Sequence, residues 1–351
     1  MCVLRPAKLA ILALLVAAFA GVTALTAQEA KLWCEYEPVK DGLGKGKHVV
    51  LIAGDDEYRS EEALPMLGKI LASRHGFRCT VLFPVNDKGI VQPNHQTNIP
   101  GMELVKDADL LILGLRFRNL PDEQMKAFDE YLESGKPMIG LRTSTHAFKI
   151  PKESKYAKYS FNYKGDEWKG GFGREVLGDT WINHHGRHGS QSTRGVPNEK
   201  NAGHAILKGV DDVWGPSDVY GIRNLPETAT VLLDGQVIEG MKPTDKPLEG
   251  EKNDPMMPIA WVKDFETKSG AKSKIFCTTM GAATDFESRG LRRLVVNASL
   301  WCMGMESSIT PELNVDVVGT YEPTKFGFKA FQKDRKPEFY ELKTEEMKSE
   351  K

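Results

Sequence analysis

Residues 136–148 read KPMIGLRTSTHAF, and the fold turns on them. Pro137, Met138, Ile139, Gly140 and Leu141 form a short apolar run, the pattern of a strand buried on both faces. Arg142, Thr143, Ser144, Thr145 and His146 then make a tight polar turn. Upstream, residues 121–134 set Met125, Phe128 and Leu132 at helical spacing, and Gly135 is placed to end that helix. Helix, short loop, buried strand and polar turn make one unit of an open α/β sheet. Ligands of such sheets sit beyond the carboxyl ends of the strands, which centres the expected site on this turn.

Working outward, residues 48–54 (HVVLIAG) read as a first buried strand. A helix carrying Leu64, Leu67 and Leu71 on one face follows and ends near Gly76. Residues 79–83 and 109–114 (DLLILG) read as further strands. Three βα-type units between residues 48 and 148 predict an α/β, doubly wound, mostly parallel sheet with helices on both faces. From residue 150 to 203 the periodicity disappears. A long irregular insertion in a compact domain is functional or disordered, and the tryptophans and histidines here argue against disorder. Strand-like runs resume at 230–233, 257–262 and 274–279 without clear helices between them, which predicts antiparallel additions. Residues 291–303 predict a helix with Leu291, Leu294, Val295, Ala298 and Cys302 on one stripe. The tail from residue 310 is rich in proline, lysine and glutamate, and its last dozen residues read as frayed.

Composition bounds the function. The 351 residues are 40% hydrophobic and 27% charged, as in ordinary globular proteins. A net charge of −1 gives no basis for a nucleic-acid partner. Arg5 and Lys8 precede an apolar run over 9–20, and small residues follow, the pattern of a secretory signal peptide over residues 1–27. A membrane anchor is the alternative, but the run is short for a span of ~20 apolar residues. Cleavage after Ala24 or Ala27 fits, leaving an exported periplasmic or extracellular protein with no membrane partner. Of five cysteines, Cys2 leaves with the signal. Cys34, Cys79, Cys277 and Cys302 allow three pairings, while Cys79 and Cys277 sit in apolar runs that suit buried thiols.

The order of these elements resembles the class I glutamine amidotransferase-like fold, a flavodoxin-like sheet. Residues 206–215 (ILKGVDDVWG), 274–281 (KIFCTTMG) and 286–304 (FESRGLRRLVVNASLWCMG) narrow the resemblance to the ThuA-like (trehalose-utilisation) family, in its secreted planctomycete-type form. It covers about residues 47–306, leaving 307–351 as a C-terminal extension. The resemblance implies a role in disaccharide or oxidised (3-keto) sugar utilisation. In glutaminases of this fold the turn after the central strand carries a nucleophilic cysteine, where this chain has Arg142. A guanidinium stays protonated and is no nucleophile. Many ThuA-like proteins have a histidine where this chain has Ala282, and no His-x-Glu pair follows the late strand. The expectation is therefore inherited fold without glutaminase activity.

The predicted strand ends gather Asp55, Asp56 and Glu57, then Arg116 and Arg118, then Arg142, Thr143 and His146. Carboxylates, guanidinia and hydroxyls together suit a polyhydroxylated ligand, so the expected partner is a small-molecule carbohydrate. His146 and His185 are the candidate acid/base groups, with Asp55 orienting. Asp56, Arg116, Arg142, Thr143 and His184 are candidate substrate contacts, and Trp181 (or Trp168) is placed to cover a sugar ring. Glu57 and Arg118 read as ordinary loop charges. Arg142 carries two readings: a fork for the carboxylate of a uronate or aldonate, or a structural clamp on carbonyls of the insertion. Residues 183–189 (NHHGRHG) hold three of the eight histidines. With His146 or Asp55 they offer zinc ligands, but Gly186 and Gly189 indicate a loop, so no cofactor is expected and zinc is the alternative. The reading is a carbohydrate-active lyase, hydrolase or isomerase. A non-catalytic sugar-binding module or a structural envelope protein is the alternative, with a homo-oligomer left open.

Overall fold

The computed structural model describes residues 31–343. The signal segment with its two cleavage positions, and the final residues of the charged tail, lie outside the described residues. Within them the chain runs β1 (Trp33–Tyr36), β2 (His48–Gly54), α1 (Ser60–His75), β3 (Arg78–Leu82), β4 (Leu110–Leu115), α2 (Asp122–Glu133) and β5 (Met138–Leu141). After the irregular insertion come β6 (Ser192–Pro197), β7 (Val213–Gly215), β8 (Thr230–Ile238), β9 (Met257–Glu266), β10 (Lys272–Thr278) and α3 (Arg289–Cys302).

All ten strands join one sheet in the order β1-β3-β2-β4-β5-β10-β9-β8-β6-β7. The five central strands, β3-β2-β4-β5-β10, are parallel. Every residue of β2, β4 and β5 is buried, as a parallel sheet covered on both faces requires. Val49, Leu51 and Ala53 of β2 face the layer of α1 and α3, while Val50 and Ile52 face the layer of α2. The β2–α1 turn is closed by Ser60, whose Oγ accepts from the N–H groups of Gly54 (3.0 Å) and Asp55 (2.9 Å). Gly76 ends α1 at φ 78, where its N–H returns to the last turn and a Cβ would fall 2.6 Å from Gly42 Cα.

Two sequence expectations need correction. The run at 274–279 is not one of the antiparallel additions: β10 pairs parallel to β5 and completes the central core. Its connection from β5 is the whole excursion through β6 to β9, so no adjacent helix announces it. The antiparallel additions are instead β9, β8, β6 and β7 on one side and β1 on the other. The insertion also contains β6, whose arginine, glycine and proline gave no strand pattern; its outer residues are half-buried or exposed. The tail packs back on the body: Tyr36 donates to the Tyr340 carbonyl at 2.7 Å, and Tyr340 stacks on Phe83. Among the described residues no helix is long and apolar enough to cross a membrane.

Candidate functional site

The carboxyl ends of β2, β4 and β5 converge beside the histidine loop of the insertion. At the end of β5 the backbone turns sharply, with Arg142 at φ 40, a conformation unfavourable for a residue carrying a Cβ. Residues 142–146 then form a fully buried 3₁₀ turn. Arg142 is locked in place. Its Nη1 donates to Ser217 Oγ (3.0 Å) and to the carbonyls of Thr279 (2.9 Å) and Asp218 (3.2 Å). Its Nη2 donates to Asp218 Oδ1 at 3.3 Å, and the guanidinium lies between the rings of Tyr58 (3.9 Å) and Tyr220 (4.6 Å). These are the contacts of a clamp, which corresponds to the second reading of Arg142.

Asp218 is the centre of the cluster. Residues 183–186 pair with 219–221 through His185 N–H to Val219 O (2.7 Å) and Gly221 N–H to Asn183 O (3.0 Å). This brings His184 Nδ1 onto Asp218 Oδ2 and His188 Nδ1 to 3.0 Å from Asp218 Oδ1. Burial alone would raise the Asp218 carboxyl, but the His184 hydrogen bond and the Arg142 charge outweigh it and hold it below the usual carboxylate range. An ionised carboxylate only accepts, so both imidazoles carry their proton on Nδ1 and keep Nε2 for other work.

The other candidate residues divide. Asp56 pairs with Arg116 at 3.0 Å, and both side chains keep partial exposure. Thr143 donates to Asp55 Oδ2 at 2.7 Å, while Asp55 Oδ1 accepts from the Glu57 and Tyr58 N–H groups. Burial raises the Asp55 carboxyl. His146 is buried among Phe117 (5.0 Å), Trp181 (5.1 Å) and Tyr220 (6.0 Å), and that burial, reinforced by the Arg116 and Arg142 charges, lowers its basicity well below the ordinary range. Trp181 is half-buried against His146 and His184, with an indole N–H that has no partner. His185 does not join the group, because its Nε2 turns to the Lys252 carbonyl at 2.7 Å. Trp168 packs in the aromatic layer with Tyr159 and Phe265.

Several residues matter that the sequence reading sets aside as loop charges or does not name. Glu57, set aside as a loop charge, is buried and lies 3.7 Å from His188 Nε2 and 3.5 Å from Arg116 Nε. Burial raises its carboxyl. Tyr58 and Tyr220 form the Arg142 sandwich, and Phe326 from the tail covers Tyr58 and His188. Asp218 carried a weaker signal than Asp55: it lies three residues past a short strand ending in Gly215. Arg118 is wholly buried and donates to the carbonyls of Arg116 and His95, a structural post.

His184, His188 and Asp218 also form a group with metal-ligating atoms within 4.8 Å of one another. The fit is poor at the carboxylate. Both Asp218 oxygens are engaged by imidazole N–H groups, and the Arg142 cation sits 3.3 Å from one of them. A dication held by Asp218 would share that carboxylate with a resident positive charge.

A family model described as ThuA, trehalose utilisation, matches residues 57–302. The chain belongs to the ThuA family. The match spans α1 through α3 and takes in Glu57, Arg116, the 142–146 turn, His184, His188 and Asp218. Membership in this family points to a carbohydrate-related role. Among solved structures, a ThuA-like protein from Parabacteroides merdae is 16% identical, with a TM-score of 0.48, covering 85% of this chain and 99% of that one. A ThuA-like protein from Bacteroides uniformis is 17% identical, with a TM-score of 0.45, covering 76% and 95%. No curated protein matches this ThuA-family chain.

Proposed function

We propose that this protein is exported and processes a disaccharide or oxidised sugar by proton transfer, without glutaminase activity. The observation that carries this reading is the grip of one buried carboxylate, Asp218, on Nδ1 of both His184 and His188. Two imidazoles fixed in one tautomer present two Nε2 atoms, one able to accept a proton as base while the other, when protonated, donates as acid. The Asp56–Arg116 pair offers spare lone pairs and donors for sugar hydroxyls, and Trp181 offers a ring face with an unpartnered N–H. The strand order β3-β2-β4-β5-β10 supports a flavodoxin-like frame, with the site at the switch point between β2 and β4.

Arg142 occupies the elbow where the related fold carries its nucleophile, and the four described cysteines are buried thiols. Burial, the largest influence on Cys34, pushes it up to about 12. Neither feature supplies a thiolate for glutamine.

The test is product release from a panel of disaccharides and their 3-keto forms by the mature protein and by Asp218→Asn. The amide cannot hold two Nδ1–H donors as an anion does. Turnover should fall about 10²-fold or more in the variant, the scale of an acid–base contribution. Equal turnover by both proteins would refute the assignment. Sugar-dependent stabilisation without turnover would leave a binding module.

A further inference from the structure

A cleft of about 740 Å³ shares no lining residue with this site and takes no part in the chemistry above. Its volume falls in the range of ligand pockets, ~300–1,000 Å³. Lys149, Lys152 and Lys164 are on its walls, and no carboxylate is among its lining residues. None of the three lysines has an ion-pair partner among the described residues, in a chain whose net charge is only −1. Gln96 and Asn119 also line it, joined through the Asn119 N–H and the Gln96 carbonyl at 2.9 Å. Both are half-buried, and their side-chain amides have no partner among the described residues. Ile150, Pro151 and the Tyr163 ring supply apolar surface.

The cleft is tied to the candidate site by one residue. Phe117 packs on His146 at 5.0 Å, and the Lys149 ammonium lies 5.9 Å from the same ring.

We propose that this cleft is a subsite for the acidic units of a uronate-containing oligosaccharide. Free amides match sugar hydroxyls, apolar surface and a tyrosine ring match the CH face of a pyranose, and three uncompensated ammonium groups match carboxylates. Arg142, the residue whose fork suggested a uronate, is committed to the clamp, so acid recognition moves to these lysines. This inference rests on the reading of the candidate site as a carbohydrate site.

The experiment is calorimetric titration of the mature protein with a uronic acid trisaccharide and with the same trisaccharide reduced at its carboxyls. The double variant Lys152→Ala/Lys164→Ala changes only two exposed side chains, where substitutions have little effect on stability. Wild type should bind the acidic form about tenfold more tightly, and the double variant should lose that preference while still binding the reduced form. Equal affinity for both forms, no binding of either, or an unchanged preference in the double variant would each overturn the proposal. Equal binding of dextran sulfate would overturn it too, as general polyanion attraction. If the proposal fails while the disaccharide panel still shows Asp218-dependent turnover, only the subsite falls. If the panel is silent as well, the reading of the main site falls with it.

Discussion

Arg142 and Asp218, 76 residues apart, meet as an ion pair in which both side chains are buried, Nη2 to Oδ1 at 3.3 Å. Removing one partner of such a pair strands the other charge, which costs about 3–5 kcal/mol. Arg142→Ala also empties the slot between Tyr58 and Tyr220 and frees the Thr279 carbonyl. Urea denaturation at neutral pH should show a loss of that size. Arg142→Lys should restore only part of it, since an ammonium cannot span the same acceptors. An unchanged midpoint in Arg142→Ala would show that the clamp carries no stability.

Glu61, in the first turn of α1, is 2% exposed and neither carboxylate oxygen has a hydrogen-bond partner. Burial pushes its carboxyl up from 4.5 to about 8. The folded state therefore holds a proton that the unfolded state releases, so this group costs stability as pH rises from about 4.5, and the cost levels off above about 8. Glu61→Gln should match wild type in acid and exceed it increasingly toward pH 8. Thermal unfolding of both proteins across that range reads the difference, and a pH-independent difference would contradict it.

Gly173 lies against the 142–146 turn, where an added Cβ would meet the Thr145 carbonyl oxygen at 1.9 Å. That obstacle is backbone, not a movable side-chain end. Gly173→Ala should cost about 1–3 kcal/mol, read as a lowered urea midpoint. Gly203→Ala, which meets nothing within 4 Å, should stay within about 0.5 kcal/mol of wild type.

Zinc should bind weakly, because Asp218 already holds two imidazole N–H groups beside a guanidinium. Protein purified without a histidine tag should carry substoichiometric metal, and added zinc should leave the melting temperature unchanged. Stoichiometric zinc that stabilises wild type and is lost in His184→Ala would reverse this.

The sequence determined the frame. Buried apolar runs at β2, β4 and β5, with helical spacing between them, leave a parallel sheet as the arrangement that buries both strand faces. It also set Asp56, Arg116 and Thr143 at strand ends, because position along a strand is a local property. The pairing of β10 with β5, and the strand within the insertion, were not legible, since the contacts that fix them are distant in sequence and leave no period. The division of labour among the histidines was decided the same way. His184, His185 and His188 are alike in sequence, and only the pairing of residues 183–186 with 219–221 turns two rings to Asp218 and the third to the Lys252 carbonyl. Hydrogen-bond partners are chosen by proximity in space, and for irregular segments that proximity exists only once the chain has folded.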